Sequence, residues 1–399
     1  MRRTTMAGLL AVPLSIAGLY WLMLHGFLKT SAILLVVAVL GMLFAAVWEW
    51  RHGHRKWASL LLAGAVLTSG TVGFYGWNLN QKLDNIPRIK PPAAIDEGTR
   101  PPEEKETKAL NILLMGADNP DQKADKPTIA ELLSDGQWDV GAYRSDTIMV
   151  VHIPANRKSA YVVSIPRDSY VPIFDEAGAT QGKNKINAAF SEYGPFGTLR
   201  TVEKLTGLRM NHLAVIDYEG FRDLTTAIGG VDVYVPETVY DSYQDQTWEK
   251  GWNHLEGNLA LKYVRQRHGL INGDFDRVAR QQNFLRAVME KVLDDGTIGN
   301  PVKFTKTLEA ITSHLTVDED FSNGEIRGLA LSLNGLDAKK VKFVTLPLDH
   351  YETVEGVGSV NIIDAARAKE LWKAVREDRI NRYLDKYPDD ELGDQQDVS

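Results

Sequence analysis

The sequence contains no cysteine among its 399 residues. This absence excludes a disulfide scaffold, a thiolate metal site and a cysteine nucleophile. Basic residues are also in the minority, since 45 Lys and Arg stand against 52 Asp and Glu. A chain with formal net charge −7 lacks the basic character of a general nucleic-acid-binding protein, and so we expect no nucleic-acid partner. With 44% hydrophobic residues, the chain is nevertheless able to bury a core, which excludes a wholly disordered protein.

Residues 1–78 have very little charge: six Lys or Arg and a single acid, Glu49. Three charge-free stretches follow one another there, Ala7–Leu24, Thr30–Trp48 and Trp57–Trp77. Roughly 20 residues at about 1.5 Å per residue cross the hydrocarbon core of a bilayer as a helix. The first stretch could instead be a cleaved signal peptide, but two further apolar stretches follow it. We therefore predict three transmembrane helices within residues 1–78.

The positive charges of this region predict its orientation. Arg2 and Arg3 precede the first stretch, and Arg51, Arg55 and Lys56 lie between the second and third. Because basic loops stay in the cytoplasm, the N-terminus is predicted to be cytoplasmic, and an odd number of spans places the remainder outside. We expect a multi-pass protein of the cell membrane with an extracytoplasmic working domain.

The rest of the chain alternates short apolar runs with helical patterns. Residues 79–108 are rich in proline and charge and predict a linker, and residues 381–399 predict a solvated acidic tail. Between them, residues 109–380 predict an α/β domain with a central mixed β-sheet flanked by helices. A polar insert, Asn119–Tyr143, separates the first two strands, and a loop of this length is more often functional or mobile than inert.

Two aspartates stand beside the first two predicted strands. Asp118 follows Leu110–Met115, and Asp146 precedes Thr147–Ile153. Carboxylates at neighbouring strand ends can share one Mg²⁺ ion, which completes its shell with water or phosphate oxygens. The alternative is structural, with Asp118 capping a turn and Asp146 paired with Arg144.

Basic residues cluster in three further segments. Arg167 follows Pro166 at the end of a strand, and Lys185 comes soon after. Arg265 and Arg267 would share one face if the backbone there is extended, and Arg277 and Gln281 lie one turn apart on a predicted helix. Arginine suits bidentate capture of phosphate oxygens, whereas the alternative is a set of salt bridges to nearby acids.

Taken together, these segments resemble the LytR-CpsA-Psr family of bacterial envelope proteins. The resemblance extends over ordered blocks between residues 111 and 292. The blocks are NILLMGAD (111–118), RSDTI (144–148), SIPRDSY (164–170), KINAAF (185–190), IGGVDV (228–233), YVRQR (263–267) and DFDRVARQQ (274–282).

The resemblance implies an Mg²⁺-dependent phosphotransferase, with Mn²⁺ as an alternative metal, that moves a glycopolymer from a polyprenyl pyrophosphate carrier onto peptidoglycan. It implies that Asp118 and Asp146 hold the metal, and that the basic residues and one glutamine hold the pyrophosphate. The implied pyrophosphate ligands are Arg144, Arg167, Lys185, Arg265, Arg267, Arg277 and Gln281. An acceptor hydroxyl also needs a proton acceptor, for which Asp168 and Asp274 are both candidates.

Two other functions fit the same residues. A membrane-anchored protein could bind a polyprenyl phosphate or glycopolymer without turnover, in which case no metal is needed. A hydrolase would use water in place of the sugar hydroxyl. The residues do not identify the polymer, whether teichoic acid, capsule or another glycan.

Overall fold

The computed structural model describes residues 28–93, 95–102, 108–118, 129–134, 138–141, 143–271, 273–293, 301–333 and 336–398. The chain divides into two units. One comprises residues 1–85 and 295–308, and the other comprises residues 86–294 and 309–399.

The first unit contains two long apolar helices, α1 (Leu28–Arg51) and α2 (Arg55–Asp84). Both are long and apolar enough to cross a membrane, with mean hydropathies of 1.8 and 1.5 over Leu34–Arg51 and Arg55–Asp84. The second and third predicted spans fall within these helices, and the first, Ala7–Leu24, lies outside the described residues. The two helices indicate a membrane anchor.

The remaining elements alternate between strands and helices. The strands are β1 (Arg88–Ile89), β2 (Leu110–Asp118), β3 (Arg144–Ile153), β4 (Ala160–Ser164), β5 (Tyr170–Phe174), β6 (Thr180–Lys185), β7 (His212–Asp217), β8 (Val231–Val235), β9 (Val239–Asp241), β10 (Gln246–Trp248), β11 (Gly251–Leu255), β12 (Leu315–Asp318), β13 (Val341–Thr345), β14 (Leu348–Val354) and β15 (Gly358–Ile363). The helices are α3 (Ile129–Ser134), α4 (Asn187–Thr206), α5 (Tyr218–Ala227), α6 (Gly257–Arg265), α7 (Asp274–Leu293), α8 (Pro301–His314), α9 (Asn323–Ser332), α10 (Ala365–Arg376) and α11 (Ile380–Lys386).

Seven strands form the central sheet, in the order β1-β12-β7-β2-β3-β4-β13. The pairs β1–β12, β7–β2 and β4–β13 are parallel, and the other three are antiparallel. Apolar side chains of the sheet pack against α4 and α10 in one cluster and against α7 in another. The predicted mixed α/β sheet with flanking helices is confirmed.

Four neighbouring strands of this sheet bring polar residues to a single edge. β7 and β2 run in the same direction and end there, β3 begins there, and β4 ends there because it runs antiparallel to β3. Residues that are far apart in sequence therefore meet at this edge, which is the usual place for a ligand site in an open α/β sheet.

Residues 86–102 differ from the predicted free linker. Ile86 and Ile89 are buried, and β1 adds a parallel strand to β12 at the margin of the sheet. The Arg100 guanidinium donates from Nε and Nη2 to the buried carboxylate of Glu203. The apolar residues among the prolines and this ion pair hold the segment against the sheet.

The acidic tail is also packed against the domain rather than solvated. Leu392 N donates to Phe343 O at 2.9 Å, and Asp390 accepts from Arg367 at 2.6 Å. Glu391 pairs with Lys342 at 3.1 Å. Two acids of the tail, Asp390 and Glu391, thus have basic partners on the domain, a complementarity that local composition does not reveal.

The Arg100–Glu203 pair allows a test of the docked segment. Because Glu203 is fully buried, Arg100→Ala leaves a buried charge with fewer partners, and we expect a loss of about 3 kcal/mol in the free energy of unfolding. Lys90→Ala is the control, since Lys90 pairs with Glu319 at 3.7 Å on the exposed surface. Thermal unfolding of the purified full chain in detergent measures both. Equal melting temperatures for the two variants would contradict this account.

Candidate active site

A β-bulge aims the first two carboxylates of the site. In the β2–β3 pair, Gly116 lies opposite Thr147 and Ala117 opposite Ser145, so Asp146 is the extra residue of the bulge. Asp118 is the last residue of β2 and is buried. Bulges commonly redirect side chains beside functional sites. The two aspartates of the predicted metal site are thus delivered by adjacent strands.

Arginines from three other segments surround these carboxylates. Arg167, three residues beyond β4, forms an ion pair from Nη1 to Asp146 Oδ1. Arg265 Nη2 lies 3.5 Å from Asp118 Oδ2. The positive charge of Arg277, a buried residue in the first turn of α7, also stabilises ionised Asp146.

The two carboxylates differ in their electrostatics. Burial raises the pKa of Asp118; the charge of Arg265 opposes this rise, repulsion from Asp146 adds to it, and the pKa stays above its usual value. Burial alone would also raise the pKa of Asp146, but the nearby guanidinium groups, Arg167 first, hold it below its usual value. The pair therefore carries a repulsion that a bound cation would relieve.

Tyr218 joins the two aspartates, and the sequence did not single it out. β7 pairs in parallel with β2, and Asp217 lies opposite Ala117, so Tyr218 leaves the sheet beside Asp118. Its hydroxyl donates to Asp146 Oδ2 at 3.4 Å, and the Arg265 guanidinium lies over its ring at 4.6 Å. Burial, followed by the two carboxylates, raises the Tyr218 pKa, so the hydroxyl keeps its proton. The position of Tyr218 beside the two aspartates follows from the pairing of β7 with β2, which the sequence alone does not show.

Asp168 lies between two basic side chains, those of Arg167 and Lys185. Strand β6 places Lys185 opposite Tyr170, and Lys185 Nζ lies 3.3 Å from Asp168 Oδ1. Arg167 Nε lies 3.7 Å from Asp168 Oδ2. Both oxygens of Asp168 thus have a cation nearby, and the carboxylate fixes Arg167 and Lys185 relative to one another.

The segment Arg265–Arg267 does not have the extended backbone considered above. Arg265 is the last residue of α6, and Gln266 turns the chain and is buried. Gln266 Oε1 accepts a hydrogen bond from Arg280 Nη1, while its Nε2 donates to His268 O at 2.9 Å. The helix end aims Arg265 at the aspartates and leaves Arg267 exposed.

The two remaining predicted residues lie on α7. Gln281 is buried, and its Nε2 donates to Val264 O at 3.2 Å, which ties α7 to the end of α6. Asp274 is the first residue of α7, and its side chain is outside the described part of the structure. The structure therefore gathers Asp118, Asp146, Arg167, Asp168, Lys185, Arg265 and Arg277 at one edge, with Arg144 opposite Asp118.

The described end of the insert packs beside helix α4. The Trp138 ring meets the Phe190 ring edge-on at 5.4 Å, and its Nε1 donates to Ser191 O at 3.0 Å. Gly194 of α4 has a φ of 66° and leaves room for this indole, because a Cβ there would lie 3.0 Å from Trp138 Cδ2. Residues 119–128 are outside the described part, so the expectation that the insert is functional or mobile stays a prediction.

The donor set fits a hard divalent cation that is shared with a ligand. Within the described ranges, no group of three or more His, Asp or Glu side chains is arranged to hold a metal alone. Asp118 Oδ1 is buried and accepts no hydrogen bond from the described residues. Two carboxylates plus oxygens of a bound phosphate and water are the usual environment of Mg²⁺.

Comparison with known proteins decides the family. The sequence model of the LytR_cpsA_psr family matches residues 81–377. The chain belongs to the LytR_cpsA_psr family. The match spans every site residue named above.

Several LytR_cpsA_psr relatives are similar to this chain. The cell wall biosynthesis protein LcpA of Corynebacterium glutamicum is 33% identical over 277 residues, which cover 63% of this chain and 51% of LcpA. TagV of Bacillus subtilis, named a polyisoprenyl-teichoic acid–peptidoglycan teichoic acid transferase, is 31% identical over 63% of this chain and 62% of its own length. The chain thus spans about half to two thirds of these relatives.

A solved structure of the LytR_cpsA_psr family has the same fold. The crystal structure of Bacillus subtilis TagV superposes with a TM-score of 0.54 at 27% identity, covering 69% of this chain and 98% of TagV. The shared region thus includes nearly all of the resolved TagV chain.

Proposed function

We propose that this protein is a membrane-anchored phosphotransferase that moves a glycopolymer from a polyprenyl pyrophosphate carrier onto peptidoglycan. The observation that carries the proposal is a pair of carboxylates whose side chains are only 12% and 16% exposed, Asp118 and Asp146, set among arginines at one sheet edge. Phosphoryl transfer needs mainly a metal ion and positive groups around the developing charge. The name of TagV describes a reaction of the same kind.

The arginines are suited to hold the pyrophosphate. Arg167, Arg265 and Arg277 come from three different elements and converge on the two aspartates. A pyrophosphate bound here would exchange some carboxylate contacts of these guanidinium groups for bidentate contacts with phosphate oxygens. We assign supporting contacts to Arg144, Lys185, Arg267 and Gln281.

We assign a bound Mg²⁺ or Mn²⁺ ion to Asp118 and Asp146. When present, the metal neutralises charge on the pyrophosphate oxygens. The free Asp118 Oδ1 and the repulsion between the two carboxylates support this assignment. Tyr218 would orient Asp146 through its hydroxyl while its ring supports Arg265.

The reaction itself exchanges one phosphorus–oxygen bond for another. A sugar hydroxyl of the acceptor attacks the phosphorus next to the glycopolymer, and the bond to the bridging oxygen breaks. Polyprenyl phosphate leaves, and its new negative charge is stabilised by the same arginines. The hydroxyl proton passes to a carboxylate, for which Asp168 and Asp274 remain the candidates. The two cations beside Asp168 favour a positioning role for it, since they occupy both of its oxygens.

An apolar sheet face offers a place for the polyprenyl chain. Leu110, Ile112 and Leu114 alternate along β2 toward Asp118 and are only partly buried. Leu285 and Met289 of α7 belong to the same partly buried set. A lipid lying along this face would reach the arginine cluster with its head group, which supports a lipid-linked substrate.

The site assignments predict a loss of turnover in defined variants. Arg167→Ala and Asp146→Ala are expected to lower the release of polyprenyl phosphate by at least about 100-fold, because each removes charge stabilisation from the transition state. Chelation of divalent cations should have the same effect on the wild-type chain. Arg222→Ala, a partly exposed arginine on α5, is the matched control and should retain activity. Release is measured with the full chain in detergent and a lipid-linked glycan. Tight substrate binding without release in any condition would favour the binding protein instead.

Tyr218 is predicted to set the affinity for the metal. Tyr218→Phe should weaken Mg²⁺ binding about tenfold, as the loss of an outer-shell partner does, while the ring still supports Arg265. Tyr218→Leu should additionally raise the KM for the lipid-linked substrate. Calorimetric titration with Mg²⁺ gives the first quantity and steady-state kinetics the second. Wild-type affinity in the Phe variant would show that the hydroxyl does not orient the metal ligands.

The cysteine-free sequence allows a direct test of the proposed three-span topology, with the N-terminus in the cytoplasm. Ser359→Cys places a thiol on exposed β15 of the domain, and His52→Cys places one in the loop between α1 and α2. In intact cells, a membrane-impermeant maleimide should label position 359 and spare position 52. The reverse pattern would place the domain in the cytoplasm and contradict the proposed substrate pool.

A further inference from the structure

A buried glutamine joins helix α7 to the ends of two strands at the edge of the sheet that carries the site. Gln282 of α7 is fully buried. Its Nε2 donates to Ser164 Oγ at 2.8 Å, at the end of β4. It also donates to Val344 O at 3.0 Å and to Thr345 Oγ1 at 3.2 Å, in the last two residues of β13. One side chain thus holds three elements together.

The carbonyl of Val344 determines which way the Gln282 amide faces. A carbonyl oxygen only accepts hydrogen bonds, so the amide atom beside it must be the nitrogen of Gln282. A carboxylate at this position would bring two acceptors together. Burial of an amide is favourable only when its hydrogen bonds are made, so this position needs a donor as well as a side chain of the right volume.

Gln282 connects the two segments that carry Arg277 and Arg167. Arg277 precedes it by five residues on the same helix, which is about 7.5 Å along the helix axis. Arg167 follows Ser164 by three residues. The charges of both arginines stabilise ionised Asp146. The hydrogen bond from Gln282 to Ser164 therefore lies between the supports of two arginines that serve the same site.

The turn that carries Arg167 is rigid. Proline restricts the backbone at position 166, and Pro166 O accepts from Ser169 N at 3.0 Å, which closes the turn. Arg167 O accepts from Asn187 N at 3.1 Å, which ties the turn to the start of α4. A shift at the end of β4 would therefore be passed on to the Arg167 guanidinium.

We propose that Gln282 is a positioning residue that sets the spacing between the Arg167 and Arg277 guanidinium groups for the pyrophosphate. The proposal rests on the proposed phosphotransferase function, because this spacing matters only if the two arginines share a ligand. Gln282 acts through the arginines, since it has no exposed surface of its own. A misplacement of about 1 Å at reacting groups can cost about 100-fold in rate, even when its cause lies far from the chemistry.

The direct test is the binding of inorganic pyrophosphate with Mg²⁺ to the full chain in detergent, with the Kd measured by calorimetry. Gln282→Met keeps a long unbranched side chain and removes the donor. It should raise the Kd about tenfold, as the loss of a residue behind the ligand contacts does. An unchanged Kd in Gln282→Met would overturn the proposal.

Thr206→Ala is the control for a loss of stability alone. Thr206 is buried at the end of α4 that is farther from Lys185, and its Oγ1 donates to Val202 O at 2.8 Å. Both Thr206→Ala and Gln282→Met should lower the Tm, because each removes a buried hydrogen bond. Thr206→Ala should keep the wild-type Kd for pyrophosphate. An equal rise in Kd for both variants would show that Gln282 is merely structural.

Ser164→Ala tests the same contact from the other partner. It removes one of three acceptors and should raise the Kd for pyrophosphate about threefold. Because Gln282→Met already lacks this hydrogen bond, the double variant should bind pyrophosphate as weakly as Gln282→Met does. Additive effects would mean that the two residues act separately, which contradicts the proposal. If Gln282→Met does not fold, an unchanged Kd in Ser164→Ala overturns it.

Arg167→Ala separates this proposal from the proposed function. If Arg167→Ala weakens pyrophosphate binding and Gln282→Met does not, the positioning role is wrong while the pyrophosphate site stands. If the wild type binds no pyrophosphate, or Arg167→Ala binds it equally well, the proposed function fails and this proposal fails with it. With turnover established, Gln282→Met should lower kcat and leave the KM for the acceptor unchanged, and a wild-type kcat would contradict the positioning role.

Discussion

Two carboxylates that have little exposure to water, Asp118 and Asp146, organise this site. Burial disfavours the ionisation of Asp118, and the charge of Asp146 adds to that cost. Arg167, Arg265 and Arg277 offset it from three separate elements, and a divalent cation shared with a pyrophosphate would offset it further. A bound cation and pyrophosphate would match these charges, as the proposed phosphoryl transfer requires.

The strand order of the central sheet produces this arrangement. Four adjacent strands bring Tyr218, Asp118, Asp146 and the segment leading to Arg167 to one edge, and a bulge aims Asp146. The hydrogen bond from Arg280 to Gln266 fixes the backbone at the C-terminal end of α6, which determines where the Arg265 side chain points. The docked segment 86–102 and the packed tail extend the same unit, so the site rests on a scaffold whose ends are fastened.

Local sequence patterns were sufficient to predict the strands whose side chains alternate between more and less buried positions. The predicted strands Leu110–Met115 and Thr147–Ile153 lie within β2 and β3. Patterns failed where the decisive contact is distant: β6, with the polar sequence TQGKNK, is a strand only because β5 pairs with it. The predicted site residues meet largely as expected, but the helical end at Arg265 and the role of Tyr218 depend on strand order and tertiary packing. The same holds for Arg100 and the acidic tail, whose partners are far away in sequence.

The most direct test of the central claim identifies the bonds formed in the reaction. Phosphorus NMR of the products, with the full chain, Mg²⁺, a lipid-linked glycan and a peptidoglycan acceptor, distinguishes a phosphodiester from a phosphomonoester. The account predicts a new sugar–phosphodiester signal that appears together with an equal amount of polyprenyl monophosphate. A glycan phosphomonoester in place of the diester would mean that water is the acceptor, and would contradict transfer.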